Sequence, residues 1–555
     1  MIEANSNIVV LFWLFVEMKS LLFWVYLWQL KDYHIGRFLA HFQTANGRNA
    51  YLGLQNRLKF LLFLAAVLTA YFYNSLPTEF ARLLFNLLPF AIAWLYIFLG
   101  VKAAFSLLFG KTATPKLNLK TIFLLMMGAG MFLVLEEKIT SIILSFHWLF
   151  LISGGNTIAL LIIDLLLPIA LSFLIIFLQP LTVVWRTFVI LAAKIKRSQL
   201  KNLKVIGITG SYGKSTTKEI LAHILSTDFR VVKTPKNQNS EIGIANTILK
   251  SLKKDTQYFI CEMGAYNKGG IKFLCDIAKP QMGILSGINE QHLATFGSLA
   301  NTTSAKFELI RYLKKGDKAI LNFANDLIKR EAQKQKFAAQ PISVGDNKGD
   351  YSYTVKSLTK NSVEFLFCGQ NQKTDILINL PGGLGLVQNA SLAIAAALQC
   401  GISLQAIAAS LKLLSSEISP YKLVRSASGR EIILATYSAN PESVRGALQY
   451  LSLFSGKKIF IMPCLIELGS SAKKIHEEFG RLIAQNCDLA IITSRDYYSE
   501  IKNGAIAQGT APGRILFMSE GKAIAKLLAQ FTESGDTIMI SGRVNQIIEN
   551  EAQKV

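Results

Sequence analysis

The chain has 555 residues, 51% of them apolar, and 59 Lys and Arg against 36 Asp and Glu give it a formal net charge of +23. Apolar content this high, with a positive mean hydropathy, argues against a wholly soluble protein, and the length leaves room for three or more domains. The basic residues cluster beside hydrophobic stretches and no DNA- or RNA-binding motif accompanies them, so membrane topology accounts for the charge and no nucleic-acid partner is expected.

Up to about Lys196 the chain is a series of apolar blocks at 8–30, 60–73, 83–101, 121–135, 139–152 and 157–190. A span needs about 20 apolar residues, which the first, third and last blocks supply, whereas 121–135 and 139–152 are short enough to be tilted or re-entrant. Glu17 and Lys19 interrupt the first block and further blocks follow it, so a cleavable signal peptide is not expected. Lys31, Arg37, Arg48, Arg57 and Lys59 follow the first block, Lys102, Lys111, Lys116 and Lys120 the third, and Lys194, Lys196 and Arg197 the last. These basic loops predict an external N-terminus, an odd number of crossings (five if one short block only lies in the interface), and a cytoplasmic remainder. Asp164, within IIDLLLP, is either a functional intramembrane carboxylate or one capped by a neighbouring helix. All six cysteines fall after the hydrophobic region without CxxC spacing, as expected of core residues in a reducing cytosol.

From Lys204 the texture changes to β-type runs alternating with helical segments. VIGIT reads as a buried strand, GSYGKS as a glycine-rich turn, and STTKEILAHIL as a helix with apolar residues at helical spacing. The residue five before Gly213 is Ile208, and the glycine is displaced to Gly207, so this is no ordinary Walker loop. Strand, loop and helix nonetheless place backbone N–H groups and a helix N-terminus against an anion, with Lys214 to neutralise phosphate and the Ser215 hydroxyl to reach Mg2+. Thr209, Gly210, Ser211, Tyr212, Gly213, Lys214, Ser215 and Thr216 form the expected ATP loop.

The segment T-G-S-Y-G-K-S-T-T-K-E resembles the ATP loop of the Mur ligases, particularly the MurF type that adds D-Ala-D-Ala to the muramyl tripeptide. Further similarities follow in order: KNQNSEIGIANTIL (236–249), CEMGAYNKGGI (261–271), GINEQHLATFGS (287–298), SAKFELI (304–310), YSANPES (437–443) and LIELGSSAKKIHEEFG (465–480). The resemblance implies a ligase that moves the ATP γ-phosphate onto a carboxylate, after which an amine attacks the acyl phosphate, so the site must neutralise oxyanions with cations and metals. It implies ATP and up to two Mg2+ ions as cofactors. Lys214 would contact the β and γ phosphates, Ser215 and Glu262 would hold one Mg2+, and His292 would help hold a second. Lys306 takes the position that in this family carries a carbamate, which joins the metal site. Lys214, His292 and Lys306 are thus the catalytic candidates, Asn237 and Asn239 fall at the substrate, and Asn389 is the candidate for the adenine edge.

Departures from the family pattern are equally specific. Gln388 stands for a histidine, Leu392 for an asparagine and Gly270 for a glutamate; Lys422 replaces the linker arginine that reaches the ATP phosphates, with loss of bidentate geometry. Leu434 and Ala435 stand where carboxylates would help hold nucleotide. Either the ligase has relaxed nucleotide contacts or ligase activity has been lost. Helical membrane segments occupy the place of the soluble domain that grips the UDP-sugar in such ligases, which implies an acceptor presented at the bilayer, a cell-envelope peptide or a lipid-linked precursor, with anchoring raising its local concentration. A polyglutamate-type ligase and a nucleotide-binding membrane scaffold are the alternatives. The expected architecture is a multi-pass α-helical membrane domain over 1–198, an α/β P-loop domain of Mur ligase central type over 199–408, and a Rossmann-like α/β domain over 409–555. Its strands are expected at 458–462, 489–493 and 537–540. The expected location is the plasma membrane, with the ligase domains cytoplasmic.

Overall fold

The computed structural model describes residues 2–554 except 32, 34, 43–44, 73–77, 111, 146–154, 237, 370–371, 427 and 436–438. It divides into two compact units, Met1–Val184 and Trp185–Val555.

The first unit is helical: α1 (Ile2–Leu30), α2 (Ile35–His41), α3 (Ala45–Leu52), α4 (Leu54–Tyr71), α5 (Thr78–Leu108), α6 (Leu119–Ser145) and α7 (Gly155–Phe177). α8 (Gln179–Gln199) follows and runs past the boundary between the units. Among the described residues, five helical segments are long and apolar enough to cross a membrane. The two short blocks expected at 121–135 and 139–152 are, in their described part, one helix of 27 residues, about 40 Å long. Glu136, Glu137 and Lys138 lie within it because all three are good helix formers. The long last block breaks at Leu178, where Pro180 sits in the first turn of α8. Phe60, Leu64, Trp94, Phe98, Phe105, Phe123, Met126 and Phe173 face outward, whereas Glu17, Lys59 and Asp164 are buried. Asp164 is ion-paired with Lys59 of α4 and accepts a 2.9 Å hydrogen bond from the Tyr96 hydroxyl of α5. It is therefore capped by neighbouring helices, the second of the two readings of that residue.

The second unit holds two sheets. The first has nine strands: β1 (Lys204–Thr209), β2 (Val231–Lys233), β3 (Tyr258–Glu262), β4 (Met282–Leu285), β5 (Lys318–Asn322), β6 (Gln340–Asp346), β7 (Tyr351–Leu358), β8 (Val363–Gly369) and β9 (Gln372–Ile378). Their order is β2-β3-β1-β4-β5-β6-β7-β8-β9. β2 to β7 pair in parallel, and β8 and β9 extend the edge as antiparallel strands. β3 and β4 are buried along their whole length, as parallel strands covered on both faces must be. The strand order reverses at β1, so its carboxyl end is a topological switch point, where ligands bind in such sheets. The second sheet runs β10-β11-β15-β12-β13-β14, comprising β10 (Lys422–Arg425), β11 (Glu431–Ala435), β12 (Lys458–Met462), β13 (Leu489–Ile492), β14 (Ile515–Phe517) and β15 (Thr537–Ser541). β12, β13 and β15 are the three strands expected from sequence.

Two helices run across the expected domain limits at 198 and 408. The helix Leu404–Leu411 puts Leu404, Ile407 and Leu411 into the core of the nine-stranded domain, so that domain continues beyond 408. The C-terminal half of α8 likewise packs on the P-loop domain, with Ile190 and Ala193 in its core. Lys196 donates 2.7 Å to the Leu249 carbonyl, and the buried Arg197 guanidinium donates to the carbonyls of Ala278, Leu200 and Leu203 at 3.0, 3.1 and 3.3 Å. Arg197→Ala leaves those carbonyls unpaired and is expected to destabilise this unit by about 1–3 kcal/mol. Thermal denaturation of the detergent-solubilised chain checks this, and an unchanged midpoint would show that water satisfies them.

Candidate active site

β1 delivers the chain into the loop Gly210–Gly213, and the helix α9 (Lys214–Leu225) leaves it. Gly213 has φ +78, and a Cβ there would lie 2.3 Å from Asn389 Oδ1; one on Gly210 would lie 2.3 Å from Ser286 Oγ. Both loop glycines are therefore required sterically. Gly207, the displaced glycine of the motif, is instead a strand residue whose Cβ would press on Leu309 and Met263 at 2.9 and 3.2 Å, so it serves helix-to-sheet packing. The loop is moored to the end of β4: Ser211 N donates to Gly287 O at 2.6 Å, Asn289 N to Ser211 Oγ at 3.2 Å, and Ser286 Oγ to the Tyr212 carbonyl. Thr209 spends its hydroxyl on Met263 O, and Tyr212 accepts from Asn325 Nδ2 at 3.1 Å. Thr216 lies half-buried in the first turn of α9. Lys214 Nζ lies over the loop, 2.7 Å from Gly210 O.

Beneath the loop, at the end of β3, stands Glu262, 3% exposed. Ser215 Oγ donates to its Oε2 at 2.9 Å, Lys218 Nζ lies 3.2 Å from the same oxygen, and Asn239 Nδ2 donates to Oε1 at 3.0 Å. Burial alone would raise this carboxyl, but Lys214, Lys218 and the bonds from Asn239 and Ser215 outweigh it and hold it below the ordinary carboxylate value. A hydroxyl and a carboxylate side by side at a phosphate loop form the two-residue set suited to Mg2+, which takes its remaining ligands from phosphate and water. Glu262 and Ser215 fit such an ion.

His292 and Lys306 complete the site from the β4 side. His292 has φ +62, uncommon for a residue with a side chain, and precedes the short helix Leu293–Phe296. Its Nδ1 lies 2.6 Å from Glu467 Oε2 of the C-terminal domain, and Glu467 shares the left-handed conformation at φ +65. Ala294 N donates to the Glu467 carbonyl at 3.1 Å. Burial lowers the His292 pKa, opposed by Glu467 and reinforced by Lys306 and Lys214. Lys306 ends the helix Leu299–Lys306, 3% exposed, with Nζ 3.4 Å from the Ala265 carbonyl. Burial, then Lys214, bring its pKa down to about 7. Among the described residues no three His, Cys, Asp or Glu side chains group as a metal site. An amine is not an oxygen ligand, so Lys306 fits a second Mg2+ only in carbamate form, alongside His292 Nε2.

The remaining expected residues divide. Asn389 packs against the loop at Gly213 and accepts a 3.4 Å hydrogen bond from Thr217 Oγ1. Asn239 is on Glu262, while Asn237 lies outside the described residues. Lys422 is exposed at the start of β10, where it pairs in register with Leu434, and among the described residues no hydrogen bond or ion pair brings it to the loop. Leu434 and Ala435 pack against apolar cores of the C-terminal domain. Two contributors were not singled out from sequence: Lys218, fully buried against Glu262, and Glu467. Both lie within motifs already quoted, STTKEILAHIL and LIELGSSAKKIHEEFG, but partnership across 44 and 175 residues has no local signature.

Two family models match the chain, the Mur ligase middle domain over 208–397 and the Mur ligase glutamate ligase domain over 421–544. The UDP-N-acetylmuramoyl-tripeptide–D-alanyl-D-alanine ligase of Synechocystis sp. is 31% identical over 344 residues, 61% of this chain and 71% of that protein. The ligase of the same name from Bacillus subtilis is 29% identical over 339 residues, 60% of this chain and 72% of that protein. Among solved structures, MurF from Acinetobacter baumannii superposes with TM-score 0.59 at 28% identity, covering 66% of this chain and 79% of that one. MurF ligase from Thermotoga maritima in complex with ADP gives 0.58 at 26%, covering 66% and 83%. With the loop, the buried carboxylate and the two α/β domains in the order these relatives share, the chain belongs to the Mur ligase family of ATP-dependent carbon–nitrogen ligases, and its relatives there are of the MurF type.

Proposed function

We propose that this protein is a membrane-anchored, ATP-dependent amide ligase that acts through an acyl phosphate on a cell-wall peptide precursor. The observation that carries the reading is the set Lys214, Ser215 and Glu262 under a glycine loop, electrostatically coupled to His292 and Lys306. Lys214 and the loop N–H groups bind and orient the ATP phosphates. The γ-phosphoryl passes to an acceptor carboxylate, and an incoming amine displaces phosphate to form the amide. Mg2+ supplies charge neutralisation on the phosphoryl oxygens when bound at Ser215 and Glu262. Lys306, whose pKa burial brings down to about 7, has in its neutral form the free lone pair with which an amine takes up CO2: the new N–C bond forms, one N–H proton leaves, and the neutral amine becomes a carbamate anion. His292 is oriented by Glu467, which ties the C-terminal domain to the reacting side of the cleft.

Membrane anchoring is supported by the five helical segments of spanning length and by outward apolar side chains around buried charges. The helical unit stands directly before the Mur ligase middle domain, so the acceptor would be met at the bilayer. Leu434 and Ala435 favour a second reading, a nucleotide-binding scaffold without turnover. Release of ADP and phosphate by the solubilised chain with candidate peptide acceptors separates the two. Lys214→Ala and Lys306→Ala should each lower turnover by at least about a hundredfold, and nucleotide binding with no turnover on any acceptor would leave the scaffold.

The buried ions also set a pH dependence. The folded value of Lys306 is about 7 against 10.5, so the folded chain binds fewer protons between those values and this lysine costs stability that returns as pH rises. Lys306→Met should therefore stabilise the protein at pH 7 by a few kcal/mol, at about 1.4 kcal/mol per pK unit, with the gain shrinking towards about pH 10, even as turnover is lost. Chemical denaturation at the two pH values tests it, and a destabilised variant at pH 7 would sink it. Glu262 has the opposite sign: its lowered value adds stability above the ordinary carboxylate pKa of 4.5 that disappears as pH falls through the folded value. Glu262→Gln removes that acid limb and leaves Lys218 buried without this partner, a loss of about 3–5 kcal/mol at neutral pH in the same denaturation experiment.

A further inference from the structure

The helical unit holds a half-open polar cavity of about 210 Å3 that the ligase chemistry does not use. Three lysines line it, Lys19 from α1, Lys59 from α4 and Lys102 from α5, against one lining carboxylate, Asp164 of α7. That carboxylate is already committed to Lys59 and Tyr96. The neighbouring Glu17 is buried and faces Asp164 and Lys59. Among the described residues Lys19 and Lys102 have no carboxylate partner, yet they stand close enough for their charges to repel. Lys19 is half-buried and Lys102 exposed; two ammonium groups without a carboxylate in one lining suit an anion, and Ser20 and Gln55 in the same lining add neutral donors.

The cavity is also joined to an apolar groove. A second space of about 660 Å3, lined by Phe60, Leu61, Phe63, Ile162 and Leu166, shares Tyr51, Asn56 and Leu165 with it. The junction is built: Pro168 has no N–H for the helical bond to the Asp164 carbonyl, the Tyr51 hydroxyl donates to the adjacent Leu165 carbonyl at 3.4 Å, and Asn56 Nδ2 donates to Tyr51 O at 2.8 Å. A cationic pocket adjoining a hydrocarbon-lined groove, with Tyr51, Asn56 and Leu165 common to both, matches an amphiphile with a phosphate head and one long apolar chain. Gln55 and Lys59 lie in the first two turns of α4 and Lys102 in the last two turns of α5, the ends that the basic loops assign to the cytoplasmic half of the bilayer.

The geometry points to a binding site for a phosphate-linked lipid, its phosphate between Lys19 and Lys102 and its chain along α4 and α7. This inference rests on the membrane reading above and deepens it, because it names the acceptor class: a peptide precursor carried on a lipid phosphate. The test uses the full chain in phosphatidylcholine nanodiscs, with a polyprenyl monophosphate, the matching neutral polyprenol and inorganic phosphate as probes, followed by native mass spectrometry. The phosphate lipid should bind at least about tenfold more tightly than the alcohol. Lys19→Gln with Lys102→Gln should erase that difference, and Lys19→Arg with Lys102→Arg should keep it. Equal binding of alcohol and phosphate, or a glutamine pair that binds as the parent does, overturns the site. Displacement of the lipid by inorganic phosphate at comparable concentration assigns the cavity to free phosphate and overturns the lipid. ATP binding, measured in the glutamine and arginine pairs, reports on folding; if the glutamine pair misfolds, the parent's lipid-against-alcohol ratio and the arginine pair decide. Lys214→Ala should still bind the lipid, so failure of the ligase reading is distinguishable from failure of this one.

Discussion

The site depends on burying one carboxylate. Glu262 at the end of β3 is 3% exposed, and a carboxylate there is tolerable only with cations and donors around it. Ser215 and Lys218 from α9 and Asn239 from the loop before the next helix meet that need. Satisfying Glu262 therefore draws three segments of chain to one point and fixes the phosphate loop above it. The same bonds keep the group ionised, the state in which it can serve a metal.

Across the cleft the constraint is conformational rather than electrostatic. His292 and Glu467 both adopt left-handed backbone conformations that cost a residue with a side chain on the order of 1 kcal/mol each. Two such residues facing each other at 2.6 Å, with the Ala294–Glu467 backbone bond beside them, indicate that the cost is offset by fixing the domains together. Asn440 repeats the pattern, capping the helix Pro441–Leu451 while its Oδ1 lies 3.5 Å from Asn289 Nδ2. His292 and Asn289, both just beyond the end of β4, thus also hold the second domain.

What was legible in the sequence was local. The loop, its strand and its helix are contiguous, and β12, β13 and β15 are short apolar runs bounded by turns, so pattern alone locates them. The buried ion partners were not legible, because Lys218 is indistinguishable from a solvated helix lysine until β3 brings Glu262 beneath it. Gly207 was visible as a displaced motif residue, but its purpose, room for Leu309 and Met263, needs the helix packed on that face. The apolar block 157–190 concealed a change of allegiance: composition cannot show that Ile190, Ala193 and Arg197 turn toward the P-loop domain, while Trp185, Phe188 and Leu191 remain exposed.

The departures at Leu434 and Ala435 follow from the same balance of charge and burial. Both side chains are half-buried at the end of β11 and pack against apolar cores, so the loss of carboxylates is built into the packing of the C-terminal domain. The P-loop side resolves the same balance the other way: Ser215, Lys218 and Asn239 all pair with the buried Glu262 carboxylate, so a charge is kept there because a cation and donors come with it.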